Sequence, residues 1–98
     1  TDTADIMKRL QDHAAEWHTF GVLRMDLFGS VARGQAHDDS DVDVLVELAP
    51  GATYQQLFDL RERLQQLLGR PVDVVTRGGV ARRPRLLRRI ESEALRVA

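Results

Sequence analysis

Residues 28–47 read FGSVARGQAHDDSDVDVLVE, and this stretch decides the fold. It sets four aspartates within six residues directly against a run of valines. A carboxylate beside apolar surface is costly unless something compensates it. The segment 41–48, DVDVLVEL, has strand composition. Side chains of a strand alternate, so Asp41 and Asp43 share one face, about 6–7 Å apart along it. Val42, Val44, Val46 and Leu48 then point the other way, into a core.

Working outward, VLRMDLF (22–28) alternates as a half-buried strand does, with Leu23, Met25 and Leu27 on one face and Arg24 and Asp26 on the other. Ser30 is placed to cap a short helix that Gly34 stops. Residues 4–18 carry Ile6, Leu10, Ala14 and Trp17 at helical spacing, which predicts an amphipathic helix with Trp17 in the core. Pro50-Gly51 marks a turn. Residues 53–68 carry Leu57, Leu60, Leu64, Leu67 and Leu68 on one helical face, and Gly69 sits where a terminating glycine belongs. PVDVVT (71–76) reads as a third strand, Arg77-Gly78-Gly79 as a flexible link, and a last helix from about Pro84 has Leu86, Leu87, Ile90 and Ala94 on one face. The order α-β-α-β-α-β-α predicts one α/β domain spanning residues 1–98. Its helices flank a short mixed sheet of about three strands in two or three layers.

The connections predict who meets whom. An antiparallel first pair brings the Gly29-Ser30 turn to the start of the second strand. A long helix between the second and third strands suits a parallel, right-handed crossover. Asp73 then reaches the same end of the sheet as Asp41 and Asp43. Three carboxylates with oxygen-only chemistry favour the hard ion Mg²⁺, whose shell is completed by water and phosphate. Ser30 and the free N–H groups of the short helix offer an anion site, and Arg33 follows one turn later. The chemistry implied is phosphoryl or nucleotidyl transfer.

Composition narrows the alternatives. A chain of 98 residues, 43% hydrophobic and 30% charged, has the balance of a soluble globular domain. It contains no cysteine, which rules out disulfides and thiolate metal sites. No apolar run approaches the ~20 residues of a membrane span, so a cytoplasmic location is expected. The net charge of −1 conceals an acidic segment at 37–47 and a run of six arginines from Arg77 to Arg89. Gly29 and Gly34 have P-loop spacing, but Gln35 and Ala36 stand where Lys and Ser/Thr are required. A calcium loop starting at Asp39 lacks its central glycine and ends at Pro50 instead of glutamate. Plainer roles exist for single residues. Arg70 can hold Asp73 at a strand edge, and Arg33 can cap a helix C-terminus. Asp38, Asp39 and His37 read as loop surface. Arg82, Arg85 and Arg89 share one side of the last helix and read as a solvated or partner-facing stripe. With one Trp, one Tyr and three Phe, direct nucleic-acid binding is not expected.

The motif Gly-Ser, then Arg-Gly, then Asp-x-Asp in a following strand resembles the DNA polymerase beta-like nucleotidyltransferase superfamily. The form GSxARG followed by SDxD is most similar to the minimal nucleotidyltransferases (MNT), the antitoxins of HEPN/MNT toxin-antitoxin pairs. The resemblance implies that Asp41, Asp43 and Asp73 are catalytic and hold Mg²⁺, as a pair of ions. Gly29, Ser30, Arg33 and Ser40 would bind the nucleotide. It further implies AMP transfer from ATP to a tyrosine hydroxyl of a HEPN toxin partner. The alternative within the same setting is a non-catalytic antitoxin that neutralises its toxin by binding. About twenty residues follow the third strand, so the acceptor is expected to be held by a partner protein.

Overall fold

The computed structural model describes residues 3–37 and 39–98. Asp38, read above as loop surface, lies outside the described residues. The elements run α1 (Thr3–Asp12), α2 (Ala14–Thr19), β1 (Val22–Phe28), α3 (Gly29–Ala32), β2 (Val42–Leu48), α4 (Tyr54–Leu68), β3 (Val72–Thr76), α5 (Arg77–Val80), α6 (Pro84–Glu93) and β4 (Leu95–Arg96). The sheet has the order β3-β2-β1-β4. β1 is antiparallel to β2 and to β4, whereas β2 and β3 run parallel across the α4 crossover. The mixed sheet therefore has four strands, the last only two residues long.

Alternation along β2 builds both layers. Val42, Val44 and Val46 are fully buried with Ile6, Leu10, Trp17, Leu60 and Leu64, beneath α1, α2 and α4. Leu45, on the opposite face, is buried with Val80 and Ile90 of α5 and α6. Each such side chain contributes roughly 1.5–3 kcal/mol on burial. The second face of the sheet is thus covered by α5 and α6, giving three layers.

Local chemistry sets the ends of α4. Thr53 accepts from the Gln56 N–H at 3.2 Å, while the Gln56 side chain accepts from the Thr53 N–H at 2.8 Å, a reciprocal capping box. Gly69 closes the helix in the left-handed region, at φ 67°.

Four local expectations are corrected. The helix expected over 4–18 breaks at His13, because the Trp17 indole N–H donates to the Leu10 carbonyl at 2.8 Å and takes an acceptor the helix would have used. Leu23 is half exposed instead of facing the core. The β1–β2 register shifts between Val22 and Arg24, so Leu23 is the extra residue of a bulge and Val22 is buried in its place. Ser30 is not the N-cap of α3. Phe28 holds that position with extended dihedrals, and α3 already includes Gly29. Finally, 77–79 is not a flexible link but most of α5, whose first turn is capped by Thr76 Oγ1 accepting from the Gly79 N–H at 3.0 Å.

Candidate functional site

The crossover topology makes Asp43 and Asp73 direct partners in the parallel β2–β3 ladder. On its other side, Asp43 pairs with Phe28 at the end of β1, immediately before the Gly29 turn. Asp41 precedes β2 on the same face as Asp43, one strand repeat away. Asp41 and Asp73 are exposed, while Asp43 is half-buried. Burial raises the Asp43 carboxyl above its ordinary value, and the neighbouring charges of Asp73 and Asp41 push in the same direction. Asp43 and Asp73 thus meet at one end of the sheet, and Asp41 is near enough for its charge to act on Asp43.

Gly29 is required here on two grounds. Its φ of 77° lies in the left-handed region. A Cβ at this position would collide with Asp43 Oδ2 and stand 3.0 Å from Asp43 Cγ. The turn thus presses backbone directly against the central carboxylate. Gly34 takes φ 72° after α3, where its N–H bonds the Val31 carbonyl at 3.1 Å and the helix stops as expected.

Around this centre the remaining candidates separate. Ser40 uses its hydroxyl to accept from the His37 N–H at 2.8 Å, which ties the loop before β2. Arg70 donates Nε–H to the Ser40 carbonyl at 2.9 Å and an Nη2–H to the His37 carbonyl at 2.8 Å. It braces that loop, and the alternative that it neutralises Asp73 has no support among its contacts. Asp39 and His37 are exposed. Arg33 is also exposed and donates Nη1–H to Glu93 Oε2 at 2.9 Å, with Nε–H directed to Gln35 at 3.1 Å. Glu93, from the last turn of α6, also accepts the Gly29 N–H on Oε1 at 3.2 Å. These contacts hold its carboxyl below the ordinary value, the Arg33 bond being the main cause.

Sequence reasoning missed two groups. Glu93 lies fifty positions beyond Asp43, and no spacing rule joins the last turn of one helix to a distant turn. Asp26 reads as a solvent-facing strand residue but is 1% exposed. It accepts from Arg24 Nε at 3.1 Å and lies 3.4 Å from Arg77 Nη2. Arg77 also pairs with Glu91 and reaches Glu47 at 4.0 Å, so it pins α5 and α6 over the sheet. The signal available was the apolar face of the last helix, which needs a sheet face to cover.

A concavity of about 790 Å³ lies at the opposite end of the sheet, between Glu47, Leu48, Thr53, Tyr54 and Arg77. Of the three carboxylates, Asp73 lines a second cavity, of about 330 Å³. Its walls include Phe28, Gly29, Arg33, Asp73, Val75, Arg89 and Glu93. Size alone does not mark the site, because chemistry needs charge that is placed and unrelieved. Among the described residues, no group of three or more His, Asp or Glu side chains is placed to hold a metal ion. The arrangement is a ladder pair of carboxylates beside a glycine turn.

That arrangement falls within a match to the nucleotidyltransferase domain family over residues 5–97. The chain belongs to this family. A protein of Methanocaldococcus jannaschii that carries the name of a protein adenylyltransferase is 40% identical over 77 residues, 79% of this chain and 81% of its own. Protein adenylyltransferase MntA of Thermococcus cleftensis is 41% identical over 61 residues, 62% of each chain. A solved structure described as a minimal nucleotidyltransferase superposes with a TM-score of 0.84 at 37% identity, covering 97% of this chain and 95% of that one. The fold is also that of a toxin–antitoxin structure with AMP-PNP, at TM-score 0.66 and 23% identity, covering all of this chain and 73% of that one. The expected nucleotidyltransferase fold and the enzyme class are thereby established. Among the described residues of this nucleotidyltransferase, no helix is long and apolar enough to cross a membrane.

Proposed function

We propose that this nucleotidyltransferase transfers AMP from ATP to a tyrosine hydroxyl of a HEPN toxin partner in the cytoplasm, and so acts as an antitoxin. The observation that carries the reading is Asp43, wedged against Gly29 and facing Asp73 across the ladder. The protein-adenylyltransferase names of two relatives at 40% and 41% identity support the group transferred and the kind of acceptor. The HEPN partner and the tyrosine rest on the resemblance of the GSVARG and SDVD motifs.

The residues fit Mg²⁺. The donor set is all oxygen, and the like charges around Asp43 call for a cation. Mg²⁺ needs only one or two protein carboxylates when phosphates complete its shell, so a preformed three-acid cage is unnecessary. Asp41 and Asp43, with Asp73, would hold it, as a pair of ions in the full site. Bound there, Mg²⁺ would neutralise charge on the phosphates during in-line displacement.

The protein's own groups do the remaining work. The Gly29 N–H, Ser30 and Arg33 bind the β- and γ-phosphates, and Ser40 shapes the loop on the nucleotide's flank. The acceptor oxygen bonds to the α-phosphorus as the bond to the β-bridging oxygen breaks, and pyrophosphate leaves. The hydroxyl proton passes to a carboxylate, for which Asp73, the exposed member of the ladder pair, is best placed.

Intact-mass measurement of the partner toxin, incubated with this protein, ATP and Mg²⁺, tests the reading. A gain in AMP units that disappears with Asp41→Ala/Asp43→Ala is expected. An unmodified toxin that the double variant still neutralises would instead establish the non-catalytic antitoxin.

A further inference from the structure

Glu93 sits where an anionic ligand belongs. Its two oxygens take the Gly29 N–H at 3.2 Å and the Arg33 guanidinium at 2.9 Å, two of the donors assigned above to phosphate. A carboxylate is acceptor-only and singly charged, so it occupies such donors much as one phosphate edge does. Its charge also acts unfavourably on Asp43, whose surroundings already contain Asp73 and Asp41. Arg89, one turn earlier on α6, lies in the same field and lines the same cavity.

We propose that Glu93 is a built-in competitor for the phosphate subsite, a residue that sets nucleotide affinity by holding Gly29 and Arg33 until polyphosphate displaces it. The inference rests on the phosphate assignment in the proposed function. Three features favour competition over a simple tether. Both carboxylate oxygens are committed to those donors. The contact spans 64 residues, between the last turn of α6 and the glycine turn. Finally, bound phosphate and Glu93 would be like charges sharing one pair of donors. When phosphate arrives, Arg33 exchanges one anion for another, and the end of α6 is released from the glycine turn. The closed contact therefore lowers apparent affinity in proportion to its population.

Calorimetric titration of the full chain with MgATP tests this on wild type, Glu93→Gln and Glu93→Ala. Both variants should bind roughly tenfold more tightly, as expected if about nine-tenths of the free protein is closed. A residue that merely tethered α6 would lower the melting temperature and leave affinity equal or weaker. NMR of the wild type supplies a readout that needs no variant. The Gly29 amide and Glu93 side-chain carboxyl signals should both shift as MgATP saturates the protein. ATP binding with unchanged affinity in both variants, or with an unmoved Glu93 signal, overturns the competitor and leaves the proposed function standing. Failure of all three proteins to bind MgATP, with inorganic triphosphate still binding more tightly to Glu93→Gln, overturns the nucleotide reading and keeps the competitor. Failure of both ligands on all three proteins overturns both.

Discussion

Asp43 and Asp73 face one another across the parallel β2–β3 ladder, each at the end of its strand nearest the Gly29 turn. Like charges at directly opposed ladder positions destabilise a sheet. The fold tolerates this because the pair is open to solvent on one side, with Asp73 exposed and Asp43 half-buried. A cation bound beside the pair, as the proposed function requires, would relieve this repulsion.

Removing one of these charges should therefore separate stability from activity. Asp43→Asn is expected to stabilise the fold at pH 7 without divalent metal by up to ~1 kcal/mol of relieved repulsion, seen as a higher melting temperature. Nucleotidyl transfer should fall by about two to three orders of magnitude. Thermal melts and a transfer assay on the same preparation check both. A variant that loses stability along with activity would show that Asp43 serves the fold.

Gly29, which opens α3, and Gly34, just past its end, should respond differently to alanine. Gly29→Ala meets both an unfavourable φ and the Asp43 carboxylate, so it should cost ~2–3 kcal/mol and displace Asp43 from its position. Gly34→Ala has open space around its Cβ and meets only the φ penalty, ~1 kcal/mol. Denaturant unfolding measures the costs. Transfer activity should survive in Gly34→Ala and collapse in Gly29→Ala.

Asp26 should prove structural despite lying on the same sheet face as Asp43. Its carboxylate is nearly inaccessible and anchors Arg24 and Arg77. Asp26→Ala would leave both guanidinium groups without it, but each is partly exposed, so a loss of ~1–3 kcal/mol is expected, less than for a wholly buried pair. Arg77→Ala should loosen α5 and α6 in turn. Hydrogen exchange should show protection lost first at Val80 and Ile90, with the amides around Leu60 and Leu64 unchanged.

Acid stability should carry a contribution from Glu16. Its hydrogen bond to Arg63, 2.8 Å at Oε2, holds the Glu16 carboxyl below the ordinary value of 4.5. A folded-state value below the unfolded one means that the unfolded chain binds more protons in that window. The stabilisation is then complete above the unfolded value and disappears as pH falls through the folded one. Glu16→Gln should flatten the fall in stability below about pH 4.5, with little change of slope near neutrality. Melting temperatures from pH 3 to 7 read this directly. An unchanged acid slope in the variant would place the pH sensitivity elsewhere.

The sequence by itself determined a strand over 41–48, formed at Val42–Leu48, the α4 helix from its leucine spacing and glycine stop, the parallel crossover, and hence the meeting of Asp43 with Asp73. These are local periodicities and chain-connection rules, and periodicity is written in the sequence. The GSVARG and SDVD spacing likewise carried the family. Only the tertiary structure decided that Asp26 is buried, that Leu23 is squeezed out in a bulge, and that Glu93 closes on Gly29 and Arg33. Each depends on how an element near the C-terminus, or a slipped register, meets residues far away in sequence. Alternation tells which residues share a face of β1, but not which face α5 and α6 will cover. An ion pair between residues sixty apart has no local pattern at all, because it exists only once the layers have packed.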